Sequence, residues 1–282
     1  MLIFNKKLEL SAYLQSVSNH STTIGFVPTM GALHQGHLSL MQKSLSENSF
    51  TVVSIFVNPT QFNNPDDLAK YPRTLDQDIA KMEHISNDII VFAPDVIDLY
   101  EGNTVASEFD FDGLEHQMEG KFRPGHFDGV GTIVKHLFEI VKPNRAYFGE
   151  KDFQQLQIIR KLVEKNNMPV EVIGCPIYRE PNGLAMSSRN TRLSPEHQQQ
   201  ASVIYQILLS AKKLFGTENV KSVTDYVYDA FSKHPNFEIE YFEIANEETL
   251  EPAIAKEKAH KYRAFIAVFI NNIRLIDTIS LN

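Results

Sequence analysis

His34 and His37 stand at i and i+3 within Pro28-Thr29-Met30-Gly31-Ala32-Leu33-His34-Gln35-Gly36-His37. In a helical first turn that spacing puts both imidazoles on one side. Gly31 and Gly36 leave room for a ligand to come close to the backbone. Two imidazoles at the positive end of a helix dipole suit an anion that gains charge during reaction, above all the α- and β-phosphates of a nucleotide. A glycine-containing turn with two surface histidines has the same letters, so the motif alone leaves both readings open.

Four other stretches carry groups of chemical interest. Asn58-Pro59-Thr60-Gln61-Phe62 offers two carboxamides, which both donate and accept and so suit the hydroxyls and carboxylate of a small polar substrate. A plain polar turn is the alternative. Phe122-Arg123-Pro124-Gly125-His126-Phe127-Asp128-Gly129 sets Arg, His and Asp in a glycine-bearing loop, a common setting for anion contacts. In Phe148-Gly149-Glu150-Lys151-Asp152, Gly149 opens the backbone, Lys151 can neutralise phosphate and Asp152 can accept from ribose hydroxyls, with Gln155 following on the same helix. An acidic helix cap is the competing reading there. Met186-Ser187-Ser188-Arg189-Asn190 brings two hydroxyls and a guanidinium that can close on phosphates, or that simply cap a helix.

These residues need elements to hold them. Ile24–Val27 has the content of a short buried strand, and Leu38, Leu40, Met41 and Leu45 recur at helical spacing over His34–Glu47. Phe50–Val57 is apolar at nearly every position, which fits a parallel strand covered on both faces. Helices over Leu8–Val17, Thr74–Ile85 (Leu75, Ile79 and Met82 inward), Gly129–Val141 and Phe153–Asn166 alternate with strands over Asp88–Phe92, Ala146–Phe148 and Val170–Ile173. Such alternation predicts an α/β fold: a Rossmann-like, doubly wound parallel sheet. Ligands then bind beyond the carboxyl ends of the strands, where Asn58 and Gln61 fall. Residues 62–73 have no clean period and read as a long loop, either a lid or a disordered surface segment.

After about Tyr178 the pattern changes. One long helix over Pro195–Phe215 and a second over Val220–His234 precede strands at Glu238–Ile244 and Ala264–Ile270, with Ile273–Asp277 returning after Asn271-Asn272 as a hairpin. The expected domains are 1–176, Rossmann-like and carrying the candidate nucleotide site, and 177–282, a smaller C-terminal α+β lid domain.

Composition narrows the options. A formal charge of −8 over 282 residues gives no broad nucleic-acid surface, although a local pocket can still be positive. Cys175 is the single cysteine, so intramolecular disulfides are impossible. Between Gly174 and Pro176, with no His or Asp partner in the sequence around it, a buried inert role is expected. No signal-peptide order and no apolar run of ~20 residues appear, so no membrane partner and a cytoplasmic location are expected.

Taken together and in order, His34-x-Gly-His37, Asn58-Pro-x-Gln61-Phe62, Tyr71-Pro-Arg-Thr74, Arg123-Pro-x-His126-Phe127-Asp128-Gly129, Gly149-Glu-Lys-Asp152 with Gln155, and Met186-Ser-Ser-Arg189-Asn190 closely resemble the pantothenate synthetase (pantoate–β-alanine ligase) family, of the nucleotidyltransferase superfamily. The resemblance implies a two-step reaction. Pantoate is adenylated by ATP, releasing pyrophosphate, and the amine of β-alanine then displaces AMP to give pantothenate. Mg²⁺ accompanies the triphosphate, with Asp76 and Asp78 as candidate carboxylates, and a homodimer is implied.

Position by position, the resemblance places Met30, Gly31, Ala32, Leu33, His34, Gln35, Gly36 and His37 at ATP, with His37 the proton donor. Gly149, Glu150, Lys151 and Asp152, and Met186, Ser187, Ser188 and Arg189, surround ATP, and Tyr178 touches the adenine side through its backbone. Gln61 meets both pantoate and β-alanine and Gln155 meets pantoate, with Asn58 a further pantoate candidate. His34, His37, Lys151 and Arg189 would supply positive charge to the α-phosphoryl and the departing pyrophosphate. Tyr178 and Met186 depart mildly from the family's smaller aliphatic residue and leucine. Three rivals share parts of the pattern: a nucleotidyltransferase acting on a phosphorylated substrate, a class I aminoacyl-tRNA synthetase, and a catalytically dead ATP sensor. The first and third do not account for the carboxamides together with both histidines. The second would need a tRNA-binding module that this short acidic sequence does not evidently offer.

Overall fold

The computed structural model describes residues 1–282. It divides into two compact units. The first is Met1–Glu115, Glu119–Gly149 and Gln155–Cys175, and the second is His116–Met118, Glu150–Gln154 and Pro176–Asn282. Two short pieces that lie amid the first unit in sequence thus belong to the second.

The first unit is built on six strands: β1 (Leu2–Phe4), β2 (Ile24–Thr29), β3 (Phe50–Ile55), β4 (Ile90–Phe92), β5 (Arg145–Gly149) and β6 (Glu171–Cys175). All pair in parallel, in the order β1-β4-β3-β2-β5-β6. Between them run α1 (Lys7–Val17), α2 (Gln35–Glu47), α3 (Pro65–Lys70), α4 (Leu75–Glu83), α5 (Val96–Tyr100), α6 (Met118–Phe122), α7 (His126–Val141) and α8 (Phe153–Lys165). The central β3 is buried on both faces from Thr51 to Ser54, as its apolar run requires. Its hydroxyl at Thr51 meets the Ser44 hydroxyl of α2 at 2.8 Å. The chain builds outward from β2 through β3 to β4, then returns to lay β5 on the other side of β2. That reversal opens a crevice at the carboxyl ends of β2 and β5, the usual ligand position in such sheets.

Four features differ from the sequence expectation. Residues 62–73 contain a helical turn, because Asn64 accepts from the Asp66 N–H at 2.8 Å and Pro65 takes the first helical position. On α4, Leu75 is 36% exposed while Asp78 is fully buried beside Met82, so a carboxylate occupies the inner face assigned to leucine. The helix expected over Pro195–Phe215 is two, α9 (Pro195–Gln200) and α10 (Val203–Phe215). At the break, Ser202 and Ile204 bond back three residues, to Gln199 and Ala201, tightening the chain into a turn. Finally, β1, α5 and α6 are too short to show a period.

The second unit adds α11 (Val220–Ser232) and an antiparallel sheet of β7 (Phe237–Asn246), β8 (Tyr262–Ile270) and β9 (Ile273–Ser280). Asn271 and Asn272, at φ 48° and 61°, form the tight turn between β8 and β9. Leu208, Val223, Val227, Ile266 and Val268 form the centre of its core.

A small loop of this unit, Tyr178 to Met186, closes through Met186 N–H to the Tyr178 carbonyl at 3.0 Å. Arg179 fastens it. Its guanidinium donates to both Asp277 oxygens at 2.7 and 2.9 Å, donates to the Gly183 carbonyl at 3.1 Å and stacks on Tyr205 at 3.7 Å. Burial pushes the Asp277 carboxyl up, and Arg179 and the Thr278 N–H oppose that rise. A folded value above the unfolded one means that stability falls as pH rises between the two. Arg179→Met leaves the buried carboxylate without its cation and raises it further. We expect a loss of about 3–5 kcal/mol near neutral pH, as for other broken buried pairs. The deficit shrinks as pH falls through the raised value and Asp277 takes up a proton. Denaturant titrations at several pH values check this, and a deficit independent of pH refutes it.

Candidate active site

At the carboxyl end of β2 the chain must turn into α2. Thr29 prepares the turn, donating its hydroxyl to the Ser54 carbonyl at 2.7 Å and accepting from Gly31 N–H at 3.2 Å. Gly31 sits at φ 81°, and a Cβ there would lie 3.1 Å from both Asp78 Oδ2 and Ile55 Cγ2, so only glycine is at ease. Ala32 follows at φ 50°. The N–H groups of Ala32 and Leu33 then donate to Asp78 Oδ2 and Oδ1 at 2.9 and 2.7 Å. Lys81 donates to the Leu33 carbonyl at 2.7 Å. Leu33 itself is buried, so its side chain belongs to the core and only its backbone faces the turn.

His34 is extended at φ −138° and ψ 174° and caps α2, its carbonyl accepting the first helical bond from Leu38. The His34 and His37 rings stack with centroids 4.0 Å apart and planes 30° from parallel. The side-by-side placement expected from the spacing is therefore present. His34 N–H donates to His37 Nδ1 at 3.4 Å. That bond makes Nδ1 an acceptor and leaves Nε2 to carry the ring proton, so His37 is set up as a donor through Nε2. Gln35 is exposed and Gly36 half-buried.

β3 runs beside β2 in register from Ile24↔Phe50 to Thr29↔Ile55, which carries Asn58 and Gln61 out at the same end of the sheet. Gln61 Nε2 lies 3.0 Å from Met30 Sδ, joining this stretch to the histidine turn. Asn58 differs from the expectation of a substrate-facing amide. It is 1% exposed. Its oxygen accepts from the Tyr100 hydroxyl at 2.6 Å and the Thr60 hydroxyl at 3.1 Å. Its nitrogen donates to the Gly129 carbonyl at 3.1 Å and to Gln61 Oε1 at 3.2 Å. Every hydrogen-bonding position of the amide is thus used within the chain. Asn58 orients Gln61: with Oε1 engaged, the Gln61 amide presents its Nε2–H donors.

The Gln61 backbone is held as firmly. Its carbonyl lies 2.8 Å from His126 Nδ1 and 3.4 Å from Arg123 Nη2. Arg123 and His126, read from sequence as an anion-contact loop, here bind a peptide carbonyl. Gly129 lets α7 press against the Thr60–Gln61 backbone, where any Cβ would overlap the Thr60 carbonyl. Gly149 ends β5 with open space where a Cβ would stand, and Gln155 is half-buried in the first turn of α8.

In the second unit, Glu150–Asp152 forms a single tight turn in which Lys151 Nζ lies 3.6 Å from Asp152 Oδ1. Arg263 of β8 anchors the turn. It bonds Glu150 at 3.3 Å and Glu247 at 3.1 Å and covers the Phe153 ring at 4.0 Å. Tyr178 is 42% exposed, and its structural bond is made by its carbonyl. Ser187 accepts from Arg189 N–H at 3.2 Å and starts a short helical turn over Ser188–Arg192, with Met186 and Ser188 half-buried beside it.

No grouping of three or more His, Cys, Asp or Glu is arranged to hold a metal ion. Asp78, one of the two candidate carboxylates for Mg²⁺, has both oxygens turned to backbone donors. Asp76 remains exposed in the first turn of α4. Sequence reading therefore missed the structural work of Asp78, Lys81, Tyr100, His126 and Arg263. Only a buried polar position on an otherwise apolar helix face could have signalled the first of these.

The chain matches the family model described as pantoate-beta-alanine ligase over residues 2–280. It is 61% identical over 281 residues to the pantothenate synthetase of Flavobacterium psychrophilum and 54% identical over 282 residues to that of Christiangramia forsetii, each covering 100% of both chains. Among solved structures, pantothenate synthetase from Thermus thermophilus superposes with a TM-score of 0.90 at 40% identity, over 100% of this chain and 99% of that one. Pantoate-beta-alanine ligase from Francisella tularensis, complexed with beta-gamma ATP and beta-alanine, gives 0.81 at 37%, over 100% and 98%. With the doubly wound sheet, the histidine turn and the glutamine beside it all in place, end-to-end agreement of this kind shows that the chain belongs to the pantoate–β-alanine ligase family.

Proposed function

We infer that this chain catalyses the ATP-dependent ligation of pantoate and β-alanine to pantothenate through a pantoyl-adenylate intermediate. The observation that carries the reading is the stacked His34–His37 pair at the start of α2, joined through Met30 to the Gln61 amide. The histidine pair is read as a phosphate site and the amide as an acyl-substrate group. The two lie beyond adjoining strands of one sheet in a chain of this family, which supports the reading.

In the first step a pantoate carboxylate oxygen attacks the α-phosphorus of ATP. The bond from that phosphorus to the bridging oxygen breaks and pyrophosphate leaves. Backbone N–H groups at the α2 start and the Nε2–H of His37 stabilise the charge on the phosphoryl oxygens and the leaving group, with His34 beside it. We assign Lys151 and Arg189 the neutralisation of the remaining phosphate charge. Met30 to His37, Gly149 to Asp152, Tyr178 and Met186 to Ser188 are assigned to ATP. Gln61 and Gln155 hold pantoate, and Asn58 acts by orienting Gln61. In the second step the β-alanine amine, guided by Gln61, attacks the acyl carbon, the bond to AMP breaks, and the amine loses a proton to solvent. Mg²⁺ would enter with the triphosphate as part of the substrate and would supply charge neutralisation to its phosphates. A homodimer in the cytoplasm completes the proposal, and no helix of this chain is long and apolar enough to cross a membrane.

Purified protein given ATP, Mg²⁺ and pantoate is expected to release AMP in multiple turnovers only when β-alanine is added, with pantothenate formed in equal amount. AMP release indifferent to β-alanine rejects the ligase reading. His37→Ala is expected to keep the fold and lower kcat by ~10²-fold or more, as removal of a transition-state donor does. An unchanged kcat removes His37 from the mechanism. Light scattering is expected to give twice the chain mass, and a monomer at micromolar concentration contradicts the dimer.

A further inference from the structure

We propose that Asp78 is the positioning residue of the reaction: its buried carboxylate fixes the backbone of residues 31–33 and, through it, the two imidazoles. The proposal rests on the reading of residues 30–37 as the phosphate site. Asp78 is fully buried, on the inner face of α4. Oδ1 accepts from Leu33 N–H at 2.7 Å, and Oδ2 accepts from Ala32 N–H at 2.9 Å and the Thr74 hydroxyl at 3.0 Å. One helical turn on, Lys81 lies 3.9 Å from Oδ1 and donates to the Leu33 carbonyl at 2.7 Å. A single face of α4 thus grips the Leu33 peptides on both their N–H and C=O sides.

The grip is needed because the turn is not a resting conformation. Gly31 and Ala32 are both left-handed, at φ 81° and 50°, and for alanine that conformation costs about 1 kcal/mol. The reversal aims two successive N–H groups in one direction, where neither β2 nor α2 supplies an acceptor. An ionised carboxylate fits that demand: it only accepts, and each oxygen can take one N–H. An amide of the same shape cannot. Whichever way it lies, its NH₂ faces one of the two N–H groups, and the turn must rotate to separate them. His34 follows Leu33 directly and caps α2, so rotation there moves both rings together. Misplacement of about 1 Å suffices to cost ~10²-fold in rate.

Asp78→Asn tests this. We expect kcat for pantothenate formation to fall by ~30-fold or more with the KM for β-alanine within about twofold of the parent. In ¹⁵N-edited NMR, the Ala32 and Leu33 amide protons should move upfield and the His37 ring should lose its single Nε2–H tautomer signature. A variant with lower thermal stability but parental kcat and parental imidazole signals shows a merely structural carboxylate and overturns the proposal. Should Asp78→Asn not fold, Lys81→Met, at a partly exposed side chain, is expected to lower kcat several-fold and shift the same imidazole resonances in the same direction. No change in either measure also overturns the proposal. If the parent protein makes no pantothenate, the proposed function fails, while the imidazole spectra still decide whether Asp78 sets the turn.

Discussion

A strand that turns straight into a helix leaves backbone N–H groups that neither element can satisfy, and much of this molecule answers that constraint. Between β2 and α2 the N–H groups divide by direction. Those of Ala32 and Leu33 point inward and are met by the Asp78 carboxylate. Those of the first turn of α2 sit at the positive end of its helix dipole. Had the inward pair lacked an acceptor, the turn would have to refold to reach water, and the imidazoles of His34 and His37 would lose their common orientation. The proposed anion site thus has a carboxylate behind it, whose own oxygens are already taken up by donors.

The same logic governs Gln61. A carboxamide is a flexible group of uncertain polarity unless its neighbours decide which end faces out. Here Asn58 takes the oxygen, and Tyr100, Thr60 and Gly129 in turn use up Asn58. His126 and Arg123 hold the Gln61 carbonyl from the other side. These supporting bonds are buried or half-buried, and they fix the donor face of Gln61 in advance for the substrate role proposed for it. Preorganisation of this kind avoids rotamer ordering on binding.

How much of this could be read from the letters depends on the range of the interaction. α2 and β3 were legible because their signals are local: helical recurrence of Leu38, Leu40 and Met41, and a stretch over Phe50–Val57 that is apolar at nearly every position. The i, i+3 spacing of the two histidines was legible too, although His34 sits as the extended cap of α2 and not within its first turn. Six ordered motifs likewise sufficed to suggest the family. What stayed hidden was long-range. Asp78 lies 46 residues beyond Ala32, and on a helix wheel it passes for a solvated acid, whereas Leu75 passes for core and is exposed. Asn58 was legible as important but not as fully bonded, because Tyr100 and Gly129 come from distant elements. The break between α9 and α10 leaves the amphipathic stripe intact and so has no signature in periodicity.

The loop that Tyr178 opens is closed by its carbonyl and fastened by the neighbouring Arg179, so the phenol ring stands outward with no structural duty. The chain contains no tryptophan. An indole installed at that one exposed position would be the sole long-wavelength emitter in the molecule. The fold therefore comes with a ready optical handle at a position assigned to the nucleotide, one that leaves the anchoring bonds of the loop untouched.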